Sequence, residues 1–140
     1  MNNAGFGTSG DFHDLDPDRV AAEVDLNVGA LTRLSHAALS VMVPRGSGWL
    51  LNVSSIASFQ PAPGLAVYAA TKAYVTSLSE SLHEEVAGDG VHVTALCPGL
   101  TRTEFMRVSV VGRKRLSKGD LRDVAASEQG VPLVVQLVGH

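Results

Sequence analysis

Trp49-Leu50-Leu51-Asn52-Val53-Ser54-Ser55 is a short apolar run, broken only by Asn52 and closed by two serines. Runs of this kind suit a strand buried on both faces, as in a parallel sheet. Just upstream, Pro44 to Gly48 has the composition of a turn. Downstream, Ser54 to Leu65 reads as a loop punctuated by Pro61, Pro63 and Gly64. A helix is then expected from about Ala66 to Val86. Val75, Leu78, Leu82 and Val86 form its apolar stripe, and Gly88 or Gly90 ends it. Val91 to Cys97 alternates and is β-branched early, so it reads as a second strand, stopped by Pro98-Gly99. Strand and helix alternate, which favours an α/β domain.

Towards the N-terminus, Met1 to Asp14 is glycine-rich and polar and reads as loop. Asp16 is placed to cap a helix, Pro17 suits its first position, and Leu15 can staple against Val20. Val20, Val24, Val28, Leu31, Leu34, Ala38 and Met42 then recur at spacings of three and four, the pattern of a long amphipathic helix. Asn27 and Gly29 interrupt its middle, and both are poor helix formers. Towards the C-terminus, Ser117 with Asp120 resembles a capping box for a short helix through about Ser127. Val131 to Val138 reads as a last strand, with Pro132 where an edge strand tolerates it.

A chain of 140 residues suits one domain, and its 45% hydrophobic and 18% charged content is that of an ordinary globular protein. The formal net charge of −3 gives no general attraction to nucleic acid or to an anionic membrane. The basic run Arg113, Lys114, Arg115 and Lys118 reads as a solvated loop. Cys97 is the single cysteine, which excludes an intrachain disulfide and a cysteine-based metal site. No leading targeting signal and no apolar stretch of membrane-spanning length is present, so a cytoplasmic setting is expected. The histidines are scattered, and His83-Glu84-Glu85 lacks the second histidine of a zinc-protease helix, so no metal is expected. Without a Gly-x-Ser-x-Gly elbow, a serine hydrolase is disfavoured.

Gly5-Phe6-Gly7-Thr8-Ser9-Gly10 matches the dinucleotide pattern G-x-G-x-x-G letter for letter. That motif works only between a strand and a helix, where backbone N–H groups and the helix N-terminus meet a pyrophosphate. Here four residues precede Gly5 and the helix begins only after Asp16. The segment is therefore read as a loop.

Tyr68 and Lys72 carry more weight. Positions four apart on a helix share a face, so phenol and ammonium lie side by side. A cation favours the phenolate and lowers the tyrosine pKa from its usual value near ~10, which suits acid–base work. Ser55 stands at the end of the apolar strand, where open parallel sheets gather their ligand and catalytic groups. Asn27 is the odd polar break in the first helix. Asn2-Asn3-Ala4-Gly5 opens the chain, and Pro98-Gly99-Leu100-Thr101-Arg102-Thr103 follows the second strand.

Together these residues resemble the short-chain dehydrogenase/reductase family, from Asn2 to about Phe105. The resemblance implies an NAD- or NADP-dependent oxidoreductase acting on a carbonyl or secondary alcohol. By the same resemblance Asn27 orders a water in a proton relay, Ser55 holds the substrate oxygen, and Tyr68 transfers the proton. Lys72 lowers the tyrosine pKa and binds the nicotinamide ribose. Asn3, Ala4 and Gly5 line the adenosine side of the cofactor, and Pro98, Gly99 and Thr103 lie by its nicotinamide. Family members pair through the two long helices, which implies a homo-oligomer.

The implied fold is the C-terminal part of a Rossmann-type doubly wound parallel sheet. Its first strands, its glycine-rich fingerprint and the segment that selects NAD or NADP fall upstream of Asn2. Residues 1–140 are thus read as one partial domain: a catalytic core segment 1–106, a variable substrate loop 107–116, and a C-terminal helix and strand 117–140. The expectation is a fragment with an uncovered apolar sheet edge, which folds poorly alone and binds cofactor weakly. A catalytically inactive relative, acting as a pseudo-enzyme or assembly fragment, is the alternative. Phe59, Pro61, Phe105 and Met106 near the expected pocket favour an apolar substrate.

Overall fold

A computed structural model gives the structure over residues 1–99. A short 3₁₀ turn at Phe12–Asp14 precedes the first helix, α1 (Pro17–Val24). The Asp16 side chain accepts from the Asp18 amide and Pro17 opens the helix, as the capping signal predicts. A π-helical segment, Asp25–Ala30, carries α1 without a break into α2 (Leu31–Arg45). The two poor helix formers, Asn27 and Gly29, fall inside that widened segment. Strand β1 (Gly48–Val53), a 3₁₀ turn at Ile56–Phe59, helix α3 (Ala66–Glu85) and strand β2 (Val91–Leu96) follow.

The expected turn at Pro44 to Gly48 is shorter than its composition suggests. Helix α2 continues through Pro44, and Gly48 already belongs to β1. A proline in a last turn forfeits one backbone bond only, and Gly46, at φ 68°, takes the left-handed conformation that ends the helix.

β1 and β2 pair in parallel from Gly48↔Val91 to Val53↔Leu96, joined by α3 as a crossover. On the other side of β1, Asn2 makes a parallel bridge to Asn52. Its amide donates to the Leu51 carbonyl at 2.8 Å, and its carbonyl accepts from the Val53 amide at 2.9 Å. The chain thus has an α/β fold with parallel pairing. The helices pack on one face of the sheet, where Leu39, Leu50, Val86, Val91 and Val93 form the core. Burial of each such valine or leucine contributes roughly 1.5–3 kcal/mol.

Among the described residues, the strands are fully buried on one face and only partly on the other. Leu50 and Asn52 are buried, whereas Trp49 is 76% exposed and stacks on His92 across the outer face. Leu51, Val53, Thr94 and Leu96 on the same face are half-buried.

The stripe expected on the first helix is also rotated. Its buried positions are Glu23, Asn27, Leu31, Ser35 and Leu39, whereas Val24 and Leu34 are exposed. Buried polar partners turn that face inwards. Asn2 Nδ2 donates to Asn52 Oδ1 at 2.9 Å and to Ser35 Oγ at 3.3 Å, and Asn52 Nδ2 donates to Ser79 Oγ at 3.0 Å. Asn52, the break in the apolar run, joins the first residues, β1 and α3 across the core. Such groups can be buried because each finds a partner.

Val75 in α3 and Val86 at its C-terminal cap are buried as expected, while Leu78 and Leu82 are only partly so. The inward face is completed by Tyr68, Lys72, Thr76 and Ser79. The helix and last strand expected after residue 117, the basic run, the substrate loop 107–116, Phe105, Met106 and Thr103 lie outside the described residues.

Candidate active site

Three parallel segments end side by side: Asn2 with Asn3-Ala4-Gly5 after it, β1 with Ser54-Ser55, and β2 with Cys97-Pro98-Gly99. Ser54 N donates to the Leu96 carbonyl at 2.7 Å and Ile56 N to the Pro98 carbonyl at 3.1 Å, which ties the last two ends together. Helix α3 brings Tyr68 and Lys72 to this edge. The Ser54 hydroxyl anchors it there, donating to the Lys72 carbonyl at 2.8 Å and lying 2.7 Å from Thr76 Oγ1.

Tyr68 is 8% exposed, and the Ser55 side chain lies near enough to its hydroxyl to bear on its acidity. Ser55 also starts the following 3₁₀ turn, its Oγ accepting from the Ala57 amide at 3.2 Å. Lys72 is 6% exposed, with Nζ 5.6 Å from the Tyr68 ring centroid and donating to the Val53 carbonyl at 2.9 Å. The expected effect of Lys72 on the phenol does not govern its acidity here. Burial pushes the Tyr68 pKa up from 10.0, the Ser55 side chain pulls it down, and the Glu23 charge raises it further. Burial likewise lowers the Lys72 pKa from 10.5, with Cys97 opposing that shift. Desolvation of both groups outweighs their mutual influence.

Asn27 is 1% exposed and reaches the site through the opening loop. Its Oδ1 accepts from the Phe6 amide at 3.1 Å, and its Nδ2 donates to the Phe6 carbonyl at 2.8 Å and to Thr71 Oγ1 at 3.1 Å. Thr71 in turn donates to the Tyr68 carbonyl at 2.8 Å. Both amide protons of Asn27 are thereby engaged, and its side chain acts as a clamp between the loop and α3.

The glycines of the Gly5-to-Gly10 segment serve close approach rather than phosphate binding. A Cβ on Gly5 would fall 2.9 Å from Asn27 Oδ1 and 3.6 Å from Lys72 Nζ. One on Gly7 would fall 3.0 Å from Tyr68 Cδ2. The backbone therefore lies directly on the tyrosine and beside the lysine, where only glycine fits.

Asn3 and Ala4 are exposed, and Gly5, Pro98 and Gly99 are half-buried along the same edge. Glu23, Thr8, Ser54 and Thr71 escaped the sequence reading although all four are buried. Two of them carry a usable signal: Glu23 precedes Asn27 by one helical turn, and Thr71 adjoins Lys72. Cys97 is fully buried at the end of β2, as its place before Pro98 suggests. Among the described residues no cluster of His, Cys, Asp or Glu could hold a metal ion. No described helix is long and apolar enough to cross a membrane.

The sequence profile of the short chain dehydrogenase family matches residues 1–113. The chain belongs to that family. A 3alpha-hydroxysteroid dehydrogenase of Mediterraneibacter gnavus is 39% identical over 106 residues, covering 76% of this chain and 42% of the relative. Among solved structures, a short-chain dehydrogenase from Sphingobium yanoikuyae in complex with NADPH superimposes with a TM-score of 0.74 at 35% identity, covering 90% of this chain and 51% of that one. A 3-ketoacyl-(acyl-carrier-protein) reductase from Brucella melitensis complexed with NADH gives a TM-score of 0.73 at 28% identity, covering 78% and 47%. The chain spans about half the length of the relatives it matches.

Proposed function

We propose that this chain carries the proton-transfer site of an oxidoreductase that moves hydride between NAD or NADP and a carbonyl or secondary alcohol. The observation that carries the reading is the juxtaposition of Tyr68 and Ser55, set with Lys72 at the carboxyl ends of adjacent parallel segments. Crevices at such strand ends are where open α/β sheets bind ligands.

The bound nicotinamide supplies or accepts the hydride. The opening loop is held close to Tyr68 and Lys72, because Gly5 and Gly7 let its backbone approach them where a side chain would clash. Asn3, Ala4, Gly5, Pro98 and Gly99 are the residues that would hold the cofactor, with Tyr68 and Lys72 on its ribose side and Thr103 as a further member. Ser55 donates to the substrate oxygen. Tyr68 delivers its proton to the same oxygen as negative charge develops there. The phenol is protonated near neutral pH, as a proton donor in carbonyl reduction must be, and burial of the site raises its pKa further from that range. Lys72 stands behind it as the nearby cation. Asn27 holds the loop beside Lys72 and in this reading also orders the water of a proton relay.

The substrate is proposed to be a small apolar carbonyl compound or alcohol. The chain is also proposed to pair with a second copy through its helices. Supporting this, an open apolar groove between α1 and α3 is lined by Phe12, Val20, Val24, Val28 and Val67. A reductase assay over a panel of ketones, with Tyr68→Phe as control, tests the function. Thermal denaturation with NADPH and with NADH tests cofactor binding separately. Activity that survives Tyr68→Phe sinks the mechanism. Association without turnover in a chain of the relatives' full length would instead favour a non-catalytic relative.

A further inference from the structure

Glu23 is the largest fully buried side chain of the described residues, at 0% exposure, and the mechanism above does not use it. It projects from α1 one helical turn before Asn27. Its Oε2 accepts from the Thr8 amide at 2.8 Å and from the Thr8 hydroxyl at 2.5 Å, while Oε1 has no partner among the described residues. A carboxylate so enclosed is costly unless hydrogen bonds or an opposite charge compensate it, and here Thr8 supplies two donors. Thr8 follows Gly7, and Gly7 is the residue whose backbone lies on the Tyr68 ring. Asn27 fixes the preceding residue, Phe6, at both its amide and its carbonyl. Two side chains of one helix face, Glu23 and Asn27, therefore bracket the Phe6–Thr8 turn and set its height over the phenol.

We propose that Glu23 is a positioning residue of this site, fixing the Gly7–Thr8 turn against Tyr68 through Thr8 and presenting its negative charge to the phenol. The inference rests on the reading of Tyr68 as the proton donor. Among the described residues, two charged groups bear on this ring: Glu23 from α1, and Lys72 from the same helix as Tyr68. Burial disfavours the phenolate most, Ser55 acts in the opposite sense, and the Glu23 charge adds to the effect of burial.

The test uses the whole chain with Tyr74→Phe, leaving Tyr68 as the single tyrosine, and follows phenolate formation by ultraviolet absorbance. Glu23→Gln keeps an oxygen for Thr8 and removes the charge, so the Tyr68 midpoint moves to lower pH. Glu23→Leu also removes the anchor, so the Thr8 amide exchanges its hydrogen roughly ten-fold faster, whereas Glu23→Gln leaves that exchange near the original rate. A role confined to packing would slow or destabilise folding without moving the midpoint. An unmoved midpoint in Glu23→Gln overturns the proposal. Where alkaline unfolding hides the midpoint, equal Thr8 exchange in all three proteins overturns it instead. Neither readout needs turnover. A shifted midpoint in a chain that reduces no ketone upholds Glu23 and defeats the enzymatic reading, and an active enzyme with an unmoved midpoint does the reverse.

Discussion

Asn27 holds Phe6 at both ends of its backbone, accepting from the amide at 3.1 Å and donating to the carbonyl at 2.8 Å. A side-chain amide four residues past Glu23, inside a π-helical segment, thus imitates a strand partner for the opening loop. The widened turn suits a residue whose hydrogen-bonding is spent outside the helix, and such segments are frequent at functional sites. Asn27→Ala leaves the Phe6 amide, the Phe6 carbonyl and Thr71 without this partner. Urea denaturation is expected to show a loss of about 1–3 kcal/mol, and hydrogen exchange at the Phe6 amide should accelerate.

Gly7→Ala introduces a Cβ at 3.0 Å from Tyr68 Cδ2 and 3.3 Å from Tyr68 Cβ. Neither the ring nor the loop can yield freely, because the loop is held on one side by Asn27 and on the other by Glu23. Overpacking of this kind is expected to destabilise by about 1–3 kcal/mol. The same denaturation measurement checks it, and a variant as stable as the parent would show that the turn floats over the ring.

The Tyr68 pKa lies above 10.0, chiefly through burial. The folded state therefore keeps the proton after the unfolded state has lost it. The stability associated with the protonated phenol is fully present below pH 10.0 and is lost as pH rises through the folded value. Tyr68→Phe removes this dependence. The stability difference between parent and variant should be flat up to pH 10.0 and turn against the parent as pH rises through the folded value, as read by denaturation at a series of alkaline pH values.

In an enzyme completed to the length of its relatives, Tyr68→Phe should lower kcat by roughly 10²–10⁴-fold, the usual contribution of a positioned acid. KM should change far less, because the ring and its packing remain. Single-turnover rates with a ketone substrate check the split between kcat and KM.

Val24 is 40% exposed, and Leu34 and Val41 are 58% and 63% exposed on the outer side of the first long helix. If this face pairs with a second copy, Leu34→Glu should leave the fold intact and weaken association about ten-fold or more, since truncating or charging one interface anchor costs at least ~1.4 kcal/mol. Sedimentation velocity over a concentration series measures it. Identical profiles for parent and variant would remove this face from consideration.

Local signals account for what was legible early. Asp16 and Pro17 mark the start of α1 because capping is settled within one turn. Ala66–Glu85 is readable because its period persists over many residues. Tyr68 and Lys72 fall on one side of α3 by helical geometry alone. The order of strand, helix and strand, and with it the α/β class, follows from the same short-range rules.

What surrounds each element was decided in three dimensions. Hydrophobic spacing pointed to Val24 and Leu34 as the inner face, yet Glu23, Asn27 and Ser35 are buried there instead. The reason lies in Thr8, Phe6 and Asn2, hydrogen-bonding partners that are distant along the chain. The Gly5–Gly7 pattern suggested a phosphate loop only by its letters, and its use became visible once Tyr68 and Asn27 were seen against it. The sign of the Tyr68 shift could not be read from the Lys72 spacing, because burial, Ser55 and Glu23 all act on the same phenol. A sequence states which side chains an element carries. Which of them lose water, and beside what charge, is fixed only when distant segments close over them.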